Sequence, residues 1–169
     1  VNPLPLPKRF DANEWSIILS LAAGYAALFL PRRLFPFPVS LLIVLFGITV
    51  PKLFDATLAV PPFELYDIND YPKLELMDVA LHLVYGPFAY FFIYGYARFR
   101  IRGPSTIAWI VCCSLLGVGI EWLGTLVGVY THKNWNLLYS FFVYGCLQGL
   151  LLVFSRLWLR SWETTKKRA

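Results

Sequence analysis

Asp78 and His82 stand four residues apart in "KLELMDVALHLVYGPFAYFFIYGYARF", Lys73 to Phe99, a run otherwise apolar enough to cross a membrane. On a helix an i and i+4 pair shares one face, and there a carboxylate can orient an imidazole whose other nitrogen takes a proton or a ligand. Glu75 and Tyr85 extend the same stripe, at intervals of three residues on either side. Glu121 is a second acid within an apolar run, flanked on its helical face by Gly117, Gly124 and Gly128, where small residues admit another helix or a bound group. Asp55 is a third, just beyond Pro51 and three residues from Lys52. The candidate catalytic residues are therefore His82, Glu121 and Asp78. The candidate ligand-binding set is Asp55, Asp78, His82, Glu121, Asn134 and Trp135. Asp78, His82 and Glu121 also combine oxygen and nitrogen donors suited to Zn, Mn or Fe, so a divalent ion is the one cofactor the sequence suggests. The alternative is an internal ion-pair network joining three helices, with Lys52 neutralising Asp55 or Glu121.

These residues must be positioned by membrane helices. Of 169 residues, 58% are hydrophobic and 15% charged, with mean hydropathy +0.59, against about a quarter charged in soluble domains. The charges gather between long apolar runs rather than recurring along each helix. The expected fold is all-α: a polytopic transmembrane helical bundle forming a single domain over residues 1–169, with spans near 14–30, 38–59, 74–97, 105–129 and 137–159. Asp11 or Asn13 is positioned to cap the first span, and Pro51 to kink the second. The segment "PPFELYDINDYPK", Pro61 to Lys73, reads as an acidic loop, and "YTHKNWN" as the loop before the last span. Little chain is left for a separate soluble domain.

Lys and Arg fix the expected orientation. Arg32 and Arg33, then Arg98, Arg100 and Arg102, then Arg156, Arg160, Lys166, Lys167 and Arg168 share one side if the N-terminus is outside and the C-terminus cytoplasmic. Lys8 and Arg9 oppose this arrangement; if they prevail, span 1 is not a full crossing and four spans are left. At 1.5 Å per residue, His82 and Glu121 both fall roughly 10 to 12 Å below the outer ends of their spans. Asp55, Asp78, His82 and Glu121 thus occupy one half of the membrane, where buried charge points to a polar cavity.

The net charge of +5 lies at span ends and in "ETTKKRA", as in a multi-pass protein of a bacterial inner membrane, and gives no reason to expect nucleic acid. The expected partners are membrane lipids, a small solute or ion, and a membrane protein or second copy docking on faces such as Gly145 and Gly149. No HExxH, GxSxG, phosphate-binding loop or CxxCH occurs. His132 reads as a surface residue because Lys133 adjoins it. Cys112, Cys113 and Cys146 read as buried packing, and Tyr66, Tyr71, Tyr130, Tyr139 and Trp135 as an interfacial belt or a pocket mouth. The opening "VNPLPLPKRFDANEW" lacks the pattern of a cleaved leader, so the first apolar run is expected to be retained.

In "GVYTHKNWNLLYSFFVYG", "LFDATL" and the acidic first turn of span 3, the chain resembles a family of small multi-span membrane proteins of spore-forming Firmicutes. The resemblance covers about Leu41 to Arg160 and rests on Asp55, the Asp78 region, Glu121, Asn134, Trp135, Tyr139 and Ser140. It implies an integral membrane protein and carries no assigned activity. A looser similarity is to the membrane-embedded substrate-binding subunits of energy-coupling vitamin transporters, which have six spans. The leading expectation is an outward-facing polar pocket that binds a small solute or divalent ion, in uptake or sensing. The alternatives are a membrane enzyme acting on a lipid or isoprenoid-like substrate, and a structural or assembly subunit of a membrane complex.

Overall fold

A computed structural model describes residues 7, 9–69 and 75–168. Lys8, Asp70, Tyr71, Lys73 and Leu74, which entered the sequence reading, lie outside the described residues. Five helices and one short ribbon are present: α1 Ala12–Ala27, α2 Phe37–Leu58, β1 Tyr66–Ile68, α3 Leu76–Arg98, α4 Ser105–Leu126, β2 Tyr130–His132 and α5 Leu137–Arg168. Four of them, α2 to α5, are long and apolar enough to cross a membrane.

α1 differs. Asp11 caps it as expected: its carboxylate accepts from the Asn13 amide at 3.4 Å, and Glu14 Oε2 accepts from the Asp11 amide at 2.9 Å. The helix has 16 residues and so extends only about 24 Å, short of the roughly 30 Å hydrocarbon thickness. It lies along α3, with Ile17 in the cluster around Met77 and Leu81 and with Gly24 against Pro87.

α3 is the central helix. Of its most apolar window 61% is buried, against 11 to 17% for α2, α4 and α5, so those three present their apolar side chains to the surroundings. Its first turn is fixed by a capping box between Glu75 and Asp78, in which Asp78 Oδ2 accepts from the Glu75 amide at 2.9 Å. α2 approaches α3 so closely that a methyl group on Gly47 would lie 2.5 Å from Ala89 Cβ and 2.8 Å from the Tyr85 carbonyl. Gly86 answers on the other helix, 2.8 Å from Val44 by the same construction.

The two loops pair with each other. β1 and β2 form an antiparallel ribbon in the register Tyr66 with His132, Asp67 with Thr131 and Ile68 with Tyr130. Gly128, at φ +83, supplies the reversal that leads α4 into β2. The ribbon closes the end of the bundle formed by the C-termini of α2 and α4 and the N-termini of α3 and α5. The opposite end is basic, and there Arg156 donates to the Tyr96 hydroxyl at 2.6 Å. α5 begins where Asn136 Oδ1 accepts from the amides of Leu138 and Tyr139 at 3.0 and 3.2 Å, and continues far past residue 159, to Arg168.

Candidate functional site

Beneath the ribbon is a cavity of about 470 Å³ walled by α2, α3, α4 and α5. Asp55 enters it from α2 and Glu121 from α4, and each carboxylate meets one imidazole and one tyrosine.

On the α2 wall, Asp55 Oδ2 is 2.7 Å from His82 Nε2, and Asp55 Oδ1 accepts from the Tyr66 hydroxyl at 2.5 Å. His82 Nδ1 faces the backbone carbonyl of Asp78. Both ring nitrogens of His82 are thus engaged, one by the α3 backbone and one by Asp55, which fixes the imidazole between α2 and α3.

On the α4 wall, Glu121 accepts from Ser140 Oγ at 2.8 Å and from the Tyr144 hydroxyl at 2.5 Å, while His132 Nε2 is 3.0 Å from Oε1. Trp135 Nε1 in turn donates to Ser140 Oγ at 2.7 Å. The glycines flanking Glu121 make room for rings: a methyl group on Gly117 would meet the Tyr144 ring at 3.0 Å, and one on Gly124 the Tyr130 ring at 2.9 Å. Between the walls, the hydroxyls of Tyr85 and Tyr130 bond to each other. Burial, followed by the Asp55 charge, pushes the Tyr66 phenol far above its ordinary value of 10. Burial also raises Tyr130; its bond to Tyr85 opposes the shift, and the charges of Asp55 and Glu121 add to it.

The expected residues thus divide. Asp55, Glu121 and Trp135 line the cavity. Asp78 and His82 are buried behind Asp55, outside the cavity wall. The Asp78 carboxylate does not orient His82; it accepts from the Glu75 amide and from Asn69 Nδ2, the latter at 2.8 Å, and the partner of the imidazole is Asp55. Lys52 forms no ion pair with Asp55 or Glu121 among the described residues, and the imidazoles take that place. Asn134 is exposed, with its backbone amide bonded to the Leu65 carbonyl, and it does not line the cavity.

Asp78, His82 and Glu121 are not one ligand set: among the described residues no three His, Cys, Asp or Glu groups are arranged to hold a metal ion. One oxygen of Asp78 is engaged in helix capping and the other by Asn69 Nδ2, and both nitrogens of His82 are occupied. Cys112 and Cys146 are exposed rather than packed inside.

His132, Tyr85, Ser140 and Tyr144 also belong to the site and are not among the candidate residues of the sequence, while Tyr66 and Tyr130, whose sequence reading is a belt or a pocket mouth, line the cavity. A signal for three of them was present in the period-two alternation of "YDI" and "YTH", which sets Tyr66 on one face of β1 and both Tyr130 and His132 on one face of β2. Lys133 turns away to Asp67, at 2.8 Å, and so does not oppose His132. The Asp67 hydrogen bond raises the Lys133 ammonium above its ordinary value. Comparison of the chain with protein-family models, with curated proteins and with solved structures finds no match.

Proposed function

We propose that this chain is a small multi-pass membrane protein that binds a small solute in the cavity under the ribbon, in the service of uptake or sensing. One observation carries the reading: two carboxylates, each braced by an imidazole and a tyrosine, meet on opposite walls of one cavity that is large enough for a ligand. The distribution of basic residues supports an orientation with the ribbon end outside a bacterial inner membrane and the Arg156 end toward the cytoplasm. α1 then runs inward from the outer face beside α3 as a fifth, shorter element, with lipids around the bundle.

The test is native mass measurement of the protein released from membranes, beside an Asp55→Asn, Glu121→Gln double variant. The wild type is expected to carry a small molecule that the folded variant loses. A wild type that is free of any small molecule and that binds none from a membrane extract overturns the reading.

A second reading, acid-base catalysis on a membrane substrate, is favoured by the 2.7 Å contact between His82 Nε2 and the cavity-lining carboxylate of Asp55. It predicts that Asp55→Asn leaves the bound molecule in place but unconverted.

A further inference from the structure

Resting on that binding reading, we infer that the ligand is a single-chain amphiphile with an uncharged hydroxyl head, admitted sideways from the bilayer between α3 and α4. Among the described residues, the charged and hydroxyl-bearing side chains of the cavity gather at its ribbon end. Away from that end its walls are Phe46, Val50, Phe92, Trp109 and Leu147, with Gln148 the single strongly polar side chain, its Oε1 held by Ser114 Oγ at 3.3 Å. From Glu121 down to Trp109 this apolar part extends roughly 18 Å along α4. A water-soluble solute satisfies one end and leaves the other empty. A hydrocarbon chain fills it, and the polar end takes the head.

The head group is constrained by charge. Among the described residues, no Lys or Arg lines the cavity, the lining imidazole of His132 is engaged by Glu121 at 3.0 Å, and Asp55 and Glu121 both line it. A phosphate or diphosphate head would face two carboxylates without a guanidinium or ammonium, the donors by which proteins hold phosphate. A hydroxyl both donates and accepts. It fits beside the Tyr85 and Tyr130 hydroxyls, which can each do the same, and beside the carboxylate of Asp55.

The way in is a seam. α3 and α4 are joined near the ribbon through the Tyr85 and Tyr130 hydroxyls, since β2 continues α4. At the other end Trp109 Nε1 donates to the Phe92 carbonyl at 3.3 Å, and the Trp109 ring fits onto Gly95. Between these two joints Phe88, Leu116 and Ile120 line the cavity and yet are 48%, 67% and 48% exposed. Phe88 is about 18 Å along α3, mid-membrane in the proposed orientation. An opening at that depth meets acyl chains, not water.

The experiment uses the full chain in lipid nanodiscs with three probes: farnesol, farnesyl monophosphate and glycerol. Farnesol is expected to bind saturably, at least tenfold more tightly than its phosphate, with glycerol undetected. Tyr130→Phe is expected to weaken farnesol by about tenfold, and Leu116→Trp, which fills the seam from an exposed position, to slow its association by at least tenfold. Equal or tighter binding of the phosphate overturns the head-group assignment, and an unchanged association rate in Leu116→Trp overturns the lateral route. Saturable glycerol binding without farnesol binding overturns the amphiphile while leaving solute binding intact. If none of the probes binds and the protein brings no small molecule from its membrane, both readings fall together.

Discussion

Asp55 and His82 meet at 2.7 Å in a place where both side chains are largely buried. The His82 side chain is 4% exposed and that of Asp55 17%, so removal of either leaves a charge or a polar nitrogen facing a dry wall. Asp55→Leu is expected to cost on the order of 3 kcal/mol in denaturant unfolding. His82→Leu added to it is expected to cost less than the sum, because the second change removes the stranded partner; additive costs would show that the pair is uncoupled.

The tyrosines make a second prediction. Tyr66 and Tyr130 hold their protons above the ordinary value of 10 when folded. As pH rises past 10, the unfolded chain releases these protons and the folded one keeps them. Their contribution to stability is therefore whole below pH 10 and shrinks as pH climbs through the raised values. In an alkaline absorbance titration, Tyr66→Phe and Tyr130→Phe should remove tyrosinate signal only from the unfolding step, not from the titration near 10. His132 illustrates what was not legible at this scale: its neighbour in the chain is Lys133, but its neighbour in space is Glu121, and only the fold decides between the two.

At the scale of elements, α2 to α5 were legible because a long apolar run with charged ends has few alternatives to a membrane helix, and their observed bounds lie close to those read from the sequence, apart from the C-terminal extension of α5. The ribbon was not legible. Strands of three residues, separated by more than sixty in the chain, give no local periodic signal strong enough to pair them. α1 was read as a span running to Leu30, whereas the helix stops at Ala27 and lacks the length of the other four. Depth along the spans brings Asp55, His82 and Glu121 toward one end, as observed, but the i and i+4 spacing points to Asp78 where the partner of His82 is Asp55: spacing on one helix is blind to a neighbouring helix and to the backbone carbonyl that occupies Nδ1.

Helix contacts supply a third prediction. Gly47→Leu drives a side chain into α3 backbone and is expected to cost about 1 to 3 kcal/mol or more. Gly119→Ala, with nothing within 4 Å of the added methyl, is expected to gain about 0.5 to 1 kcal/mol through helix propensity. Thermal unfolding of the two variants in the same detergent compares them directly, and a Gly47→Leu protein as stable as the wild type would contradict the close approach.

For the whole molecule, α5 outruns the membrane by far more than any other described helix. Its 32 residues extend about 48 Å, against roughly 30 Å of hydrocarbon. In the proposed orientation its first twenty residues complete the crossing near Arg156, which is tied to Tyr96. The last two turns then stand clear of the lipid head groups, so Lys166 and Lys167 are held about a Debye length away from the charged leaflet. Charge at that remove is screened, and these residues should count for little in setting orientation although they make up much of the chain's positive excess. Deleting residues 161–169 is therefore expected to leave a Thr131→Cys label, in a background without Cys112, Cys113 and Cys146, reachable only from outside the cell. Replacing Arg98, Arg100 and Arg102 by Gln should let part of the population label from within. In the proposed orientation the overhang is better viewed as a post than as an anchor: it carries charge to a fixed height on the cytoplasmic side and leaves the membrane itself to the arginines beneath.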